Sequence, residues 1–299
     1  MTRLLIGVDA GGSHTTALLA DQDGSALGQA HGEPGVVRPG KEGAAADAIA
    51  DTCRRVLRHL KPGAKADVLL VGAAGAGAEA PRLALKGALE VAELAARVHV
   101  TTDAEIALAA AFGAMPGIVL LAGTGSIAWA RLPDGGTVRL GGLGPTLGDH
   151  GSGYDLGRQA LRAAALAFEG LAPATRLRDL LLPDANSLFE AVRTQYEVEP
   201  RLVAMLARLV IEAADTGDVV SREIVDRGAA ILATHAAALA RRFPPGAEVR
   251  VALGGGLLGS LDTYRHRVAA RVAELAPHVT LVTDPIEPAR GAIWLAQSL

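Results

Sequence analysis

The chain has 299 residues, half of them apolar but only 3% aromatic, and a net charge of −3 at neutral pH. That length accommodates two domains or one large one around a substantial core, built here from many small aliphatic side chains. Well-mixed charges with no basic run exclude a nucleic-acid surface, and no apolar stretch is long enough to span a bilayer. The N-terminal run MTRLLIGVDAGG is too short for a secretory apolar segment, so a cytoplasmic protein with no membrane partner is expected. Cys53 is the only cysteine, which rules out an intrachain disulfide and leaves a buried thiol as its expected role.

Leu4, Ile6 and Val8 mark a first strand, followed by the loop DAGGSHT. Residues 16–20 form a second strand, DQDG a turn, and residues 26–31 a third strand. HGEPGVVRPG reads as a loop, residues 42–60 as a helix, and residues 68–71 as a buried strand. Pro81 is expected to open a helix running to about Ala95, followed by a strand over residues 97–101 and a helix that Asp103 caps and Phe112 ends. After Met115-Pro116-Gly117 the order restarts: strand 118–121, the loop GTGS, strand 127–132, the turn PDGG and strand 137–140. A long helical region covers residues 152–242, with breaks expected at Pro183, Pro200 and Thr216-Gly217. Strand 249–253, the run GGG, a helix, strand 279–282 and a helix from Pro288 close the chain.

Without the helical insert, each half repeats one pattern: three strands joined by tight turns, then helix, strand, helix, strand, helix. The expectation is an α/β protein with two duplicated domains, each built on a mixed five-stranded sheet. The first domain spans residues 1–114, with the final helix, 287–299, packing back on it. The second spans 115–286, with its helical insert at about 152–242.

The duplication puts two glycine loops, VDAGGSHT and LAGTGS, at equivalent strand ends. Two such loops facing each other across a cleft would suit a polyphosphate. Gly11, Gly12, Gly123 and Gly125 let backbone amides approach, and Ser13, Thr15, Thr124 and Ser126 add hydroxyls, with His14 alongside. Asp9, at the end of the first strand, could hold Mg2+ or be satisfied by loop amides. Asp103, after a strand and before a helix, suits either an N-cap or a group that accepts a hydroxyl proton during phosphoryl transfer. The loop GGLGPTLGDHGSGY holds six glycines between residues 141 and 154 and ends in a helix. Its Asp149 could bind Mg2+ or a substrate hydroxyl, and His150 reads as an exposed loop residue. Gly254, Gly255 and Gly256 would let a flat base lie against bare backbone. Trp129 and Trp294 fit core positions.

One motif competes. Gly75-Ala-Gly-Ala-Glu-Ala80 follows a strand in the manner of a dinucleotide fingerprint. Pro81 is expected to delay the following helix past the motif, and Asp103 lies beyond the usual spacing of about 20 residues, so an oxidoreductase is disfavoured.

The set VDAGGSHT, TTDA, LAGTGS, GGLG…GDHGSGY and LGGG, in that order, resembles the actin-like ATPase superfamily of sugar kinases, Hsp70 and actin. More closely it resembles the BadF/BadG/BcrA/BcrD ATPase branch, which includes N-acetylglucosamine and glucosamine kinases. The resemblance runs from the first strand to the last helix. It implies ATP and Mg2+ as cofactors and transfer of phosphate to a sugar, an amino sugar such as glucosamine or N-acetylglucosamine, at its 6-hydroxyl. It implies that Asp9 belongs to the first phosphate motif, Gly123 to Ser126 to the second and Gly254 to Gly256 to the adenosine motif. Asp103 corresponds to the catalytic base and a sugar contact. Asp149, with Gly142 and Leu143, belongs to a loop that faces sugar or metal. Homodimer formation through the helical region is also implied.

Two departures fall on the sugar side. The loop after the third strand, GEPGVVRPG, lacks the Asn that such kinases tend to carry, and GGLG stands where many show GGWG. They leave the N-acetyl group open. The activator ATPases of the same branch hold an iron–sulfur cluster with cysteines, which Cys53 alone cannot supply. A non-catalytic nucleotide-binding module is the remaining alternative, and Asp103 argues against it.

Overall fold

The computed structural model describes residues 3–58, 60, 63–182 and 200–299. They divide into two compact units, Met1–Gly117 with Ile286–Leu299, and Ile118–Pro285.

The first unit is a five-stranded mixed sheet in the order β3-β2-β1-β4-β5. Its strands are β1 (Leu4–Ala10), β2 (Thr15–Asp21), β3 (Ala26–Gly32), β4 (Ala66–Ala73) and β5 (Ala95–Thr102). The tight turns make β1–β2 and β2–β3 antiparallel, whereas the helical crossovers make β1–β4 and β4–β5 parallel. Alternation along β1 sends Ile6, Val8 and Ala10 into one apolar layer with Ala46, Ile49 and Cys53 of α1 (Glu42–Leu57) and Leu85 and Leu89 of α2 (Glu79–Val91). Leu5 goes to the opposite layer, beside Ile106 of α3 (Asp103–Phe112) and Ala289, Ala292 and Ile293 of α12 (Pro288–Gln297). Small residues let these elements approach: a Cβ on Gly291 would lie 1.9 Å from the Ile106 carbonyl oxygen.

Among the boundaries that differ from the sequence reading are those of α2 and β5. Helix α2 begins at Glu79, so Pro81 sits inside its first turn, where no intrahelical donor is lost. It ends at Val91, and β5 takes over from Ala95, because pairing with Ala66 extends the strand backwards.

The second unit is also five-stranded, in the order β10-β9-β6-β7-β8. Its strands are β6 (Gly117–Ala122), β7 (Ser126–Arg131), β8 (Thr137–Gly141), β9 (Val249–Gly254) and β10 (Val279–Val282). The glycine-rich loop carries a short helix, α4 (Gly144–Leu147). The insert contains α5 (Gly153–Phe168), α6 (Arg176–Leu181), α7 (Pro200–Met205), α8 (Ala207–Asp215) and α9 (Val219–Ala240). The break expected at Pro183 lies outside the described residues. Pro200 opens α7, and Gly217, at φ +97°, separates α8 from α9. The apolar face of α9 packs with Ala128, Ala130, Leu156 and Val251 in one continuous core, which also takes in α10 (Gly256–Ser260) and α11 (Asp262–Leu275). Among the described residues no helix is long and apolar enough to cross a membrane.

Candidate active site

The two halves repeat one unit of strand, glycine loop and strand. In the first unit, β1 ends at Ala10, and Gly11 to His14 turn the chain into β2. The Gly11 N–H donates to the His14 carbonyl at 3.1 Å, which closes the turn. In the second unit, β6 ends at Ala122, and Gly123 to Gly125 turn the chain into β7, with the Gly123 N–H on the Gly125 carbonyl at 2.9 Å. Among the described residues, the amides of Gly12 and Ser13 in one loop, and of Thr124 and Gly125 in the other, have no acceptor in the protein. Partly exposed amides of this kind in a tight turn are donors for an anion.

Two of the four hydroxyls, those of Thr15 and Ser126, are turned inward. Thr15 is fully buried and its Oγ1 donates to the Glu33 carbonyl at 2.7 Å. Ser126 is 4% exposed and its Oγ donates to the His150 carbonyl at 2.8 Å. Neither hydroxyl points outward, because each opens a strand on its buried side. His14 is exposed, with Nδ1 3.3 Å from the Ser13 hydroxyl.

Asp9 lies on the β1 face that packs α3 and α12, one residue before the loop. It is level with Gly72 of β4, which is in turn level with Thr101 of β5. The equivalent position of β6 is Leu121, so only the first unit carries this carboxylate. Burial, reinforced by the nearby Asp103 charge, pushes the Asp9 carboxyl up to about 7.

Asp103 is the first residue of α3, not its cap. Thr102 caps the helix, its side chain accepting from the Glu105 N–H at 3.2 Å. The Thr-x-x-Glu spacing was readable in TTDAE as a capping box. The Asp103 carboxylate accepts the adjacent Ala104 N–H at 2.9 Å and also interacts with its own main-chain N–H. Burial raises its pKa, and the two N–H groups only partly offset the rise. A carboxylate with raised proton affinity suits a group that accepts a hydroxyl proton.

The loop after β3 closes over these strand ends. The Val37 N–H donates to the Ala74 carbonyl at 2.8 Å, and the Ala74 N–H to the Ala10 carbonyl at 2.9 Å. Gly75, the first glycine of the competing fingerprint, has φ +83°, and a Cβ there would sit 2.1 Å from the Val37 carbonyl oxygen. Its role is this close approach. Cys53 is buried, and burial pushes its thiol up to about 12.

In the second unit, Asp149 reaches back to the glycine loop. Its Oδ1 accepts the Ser126 N–H at 3.2 Å, and a Cβ on Gly125 would lie 2.9 Å from its Oδ2. Asp149 has φ +56°, in the left-handed region, which a short polar side chain tolerates. Burial raises its pKa against the opposing effects of the Ser126 N–H and the His150 charge. The amides of Gly153 and Tyr154 donate to the Gly123 and Thr124 carbonyls at 2.8 and 3.2 Å, tying α5 to the loop. Ser152 caps α5 through the Asp155 N–H, while Asp155 Oδ2 accepts the Gly151 N–H at 2.9 Å. Gly142 donates its N–H to the Ser126 carbonyl at 3.0 Å, and Leu143 is exposed. His235 of α9, unremarked in the sequence, lies against Gly141 with a buried Nδ1 that has no partner among the described residues, and burial lowers its pKa. Gly255, at φ +86°, lets the turn after β9 lie against the end of β6, where a Cβ would be 2.6 Å from the Ala122 carbonyl oxygen, and Gly256 starts α10 beside Gly123.

Among the described residues no group of three or more His, Cys, Asp or Glu could hold a metal ion unaided. One or two carboxylates suffice for Mg2+, which keeps waters and phosphate oxygens as its other ligands, and Asp9 with Asp103 nearby fits that donor set.

The BadF/BadG/BcrA/BcrD ATPase family matches residues 6–296. The N-acetylmuramic acid/N-acetylglucosamine kinase of Clostridium acetobutylicum is 26% identical over 310 residues, covering 99% of both chains. The glucosamine kinase GspK of Vibrio cholerae is 28% identical over 262 residues, covering 87% of this chain and 86% of its own. A solved structure from Chromobacterium violaceum, provisionally named an N-acetylglucosamine kinase, superposes with a TM-score of 0.80 at 27% identity, covering 99% of each chain. The chain belongs to the BadF/BadG/BcrA/BcrD ATPase family.

Proposed function

From that membership we propose that the protein is an ATP-dependent kinase that phosphorylates an amino sugar, glucosamine or N-acetylglucosamine, at its 6-hydroxyl. The observation that carries the reading is Asp103: a carboxylate at a strand end, relieved of capping by Thr102, with raised proton affinity and a second acidic group, Asp9, nearby. A protein that only binds nucleotide has no need of such a group.

In this reading the unpaired amides of Gly12, Ser13, Thr124 and Gly125 hold the ATP phosphates, and Gly254 to Gly256 border the adenosine. Asp9 would hold Mg2+ bound to those phosphates. The metal, when present, neutralises charge developing on the transferred group. Asp103 accepts a hydrogen bond from the sugar hydroxyl, orients its oxygen for in-line attack and takes its proton late in the transfer. The loop at residues 33–37 and the Asp149 loop, with Gly142 and Leu143, bound the sugar.

Phosphorus–proton correlation spectra of the product formed from ATP, Mg2+ and glucosamine or N-acetylglucosamine test the reading. A phosphomonoester coupled to the protons of C6 is expected. Inorganic phosphate alone, or phosphate on another hydroxyl, contradicts it.

A further inference from the structure

We propose that Thr15 and Ser126, although they stand in the two glycine loops, are positioning residues for the sugar loops. The inference rests on the kinase reading and assigns these side chains a task away from the phosphates.

Both residues open the strand that leaves a glycine loop. Both are buried, at 0% and 4% exposure. Each hydroxyl donates to a main-chain carbonyl well along the chain, Glu33 in the first unit and His150 in the second. Those carbonyls lie in the two segments given to the sugar. Glu33 is followed by Pro34 and Gly35, and a Cβ on Gly35 would lie 2.7 Å from Thr15 Oγ1, so this loop is seated directly on the threonine. His150 follows Asp149, whose Oδ1 accepts the Ser126 main-chain N–H. Ser126 therefore fixes its loop at two adjacent residues, by hydroxyl and by amide. One device occurs twice, with different residues, which a chance contact does not explain.

The physical consequence is that the hydroxyl orients the sugar loop while the neighbouring free amides serve the nucleotide. Removing a hydroxyl leaves a carbonyl without its donor and loosens the loop, a cost of about three- to tenfold where binding depends on that loop.

The test uses the full chain and four variants, Thr15→Val, Thr15→Ser, Ser126→Ala and Ser126→Thr. KM for sugar and KM for ATP are measured separately, with hydrogen exchange of the ligand-free proteins. Thr15→Val and Ser126→Ala are expected to raise the sugar KM about three- to tenfold with the ATP KM unchanged. They are also expected to speed amide exchange in residues 35–38 and 148–152 respectively. Thr15→Ser and Ser126→Thr, which retain the hydroxyl, restore both readouts. A rise in the ATP KM with the sugar KM unchanged overturns the assignment, since it places the hydroxyls on the phosphates. Unchanged exchange in both segments overturns it as well. If the wild-type protein shows no sugar-dependent turnover, the kinase reading fails, and exchange alone still decides whether the two hydroxyls hold these loops.

Discussion

Replacing Asp9 by Asn is expected to stabilise the ligand-free protein while impairing it as an enzyme. The folded carboxyl holds its proton up to about pH 7, against an ordinary value of 3.8. That displacement corresponds to roughly 4 kcal/mol between the charged and neutral forms. By linkage that same amount is the stability the folded protein loses when the group ionises. The sign follows from proton counting. Between about pH 4 and pH 7 the folded state binds more protons than the unfolded state, so stability falls as pH rises through that window. Above pH 7 the folded protein carries the full cost of a desolvated charge. Asn is neutral at every pH and removes it. Thermal melts in EDTA should therefore show Asp9→Asn melting roughly 8–16 °C above wild type at pH 8 and level with it near pH 4. The same variant should need more Mg2+ to reach half-maximal turnover, since one carboxylate of the proposed metal site is lost. A variant no more stable at pH 8 than wild type, or one that shifts equally at both pH values, refutes the reasoning. So does an unchanged Mg2+ titration.

Three further outcomes are expected. Asp103→Asn keeps the fold, because Thr102 caps α3 independently, and lowers kcat by roughly 10²–10⁴; full activity in the presence of an unchanged circular dichroism spectrum contradicts its role as base. Gly75→Ala combines a left-handed backbone with a Cβ 2.1 Å from the Val37 carbonyl oxygen, so a loss of roughly 3 kcal/mol or more is expected in denaturant melts, and a loss under about 1 kcal/mol contradicts the close packing. Burial works against the Asp218 charge, but the bonds it accepts from Ser221, Arg176 and Thr175 together hold its carboxyl below the ordinary value. Its stabilising contribution is present above pH 4 and lost as pH falls through the folded value. The destabilisation by Asp218→Asn should accordingly shrink in melts below pH 4, and a penalty independent of pH contradicts it.

The fold was legible because it is written twice. Two runs of strand, glycine loop, strand, Asp-Gly turn and strand, each followed by helical crossovers, leave few topologies open, and both sheets have the order that pattern implies. Boundaries were less legible where pairing overrides local signals. Ala95 reads as the end of a helix, yet ladder bonds to β4 draw it into β5. Pro81 reads as a helix start but is tolerated within the first turn, since the first helical amides need no partner. The positions of Asp9 and Asp103 at strand ends followed from the apolar runs before them. What those runs could not say is which way a side chain turns. Thr15 and Ser126 looked like phosphate donors because they stand beside glycines, but strand alternation buries them. The cap at Thr102 was readable from its spacing to Glu105 and outranks the more obvious Asp103. The breaks within residues 152–242 are marked by Pro or Gly, and the gap between α5 and α6, which Gly170 and Pro173 mark, was missed in the sequence reading.

The central claim is that ATP turnover by this protein depends on an amino sugar. The most direct measurement is the initial rate of ADP formation at fixed Mg2+ with glucosamine, N-acetylglucosamine, N-acetylmuramic acid, glucose, mannose or no sugar. The account predicts that glucosamine or N-acetylglucosamine raises the rate at least about tenfold over the blank, as in-line transfer to an oriented hydroxyl requires. ATP binding with every sugar indistinguishable from the blank would contradict it.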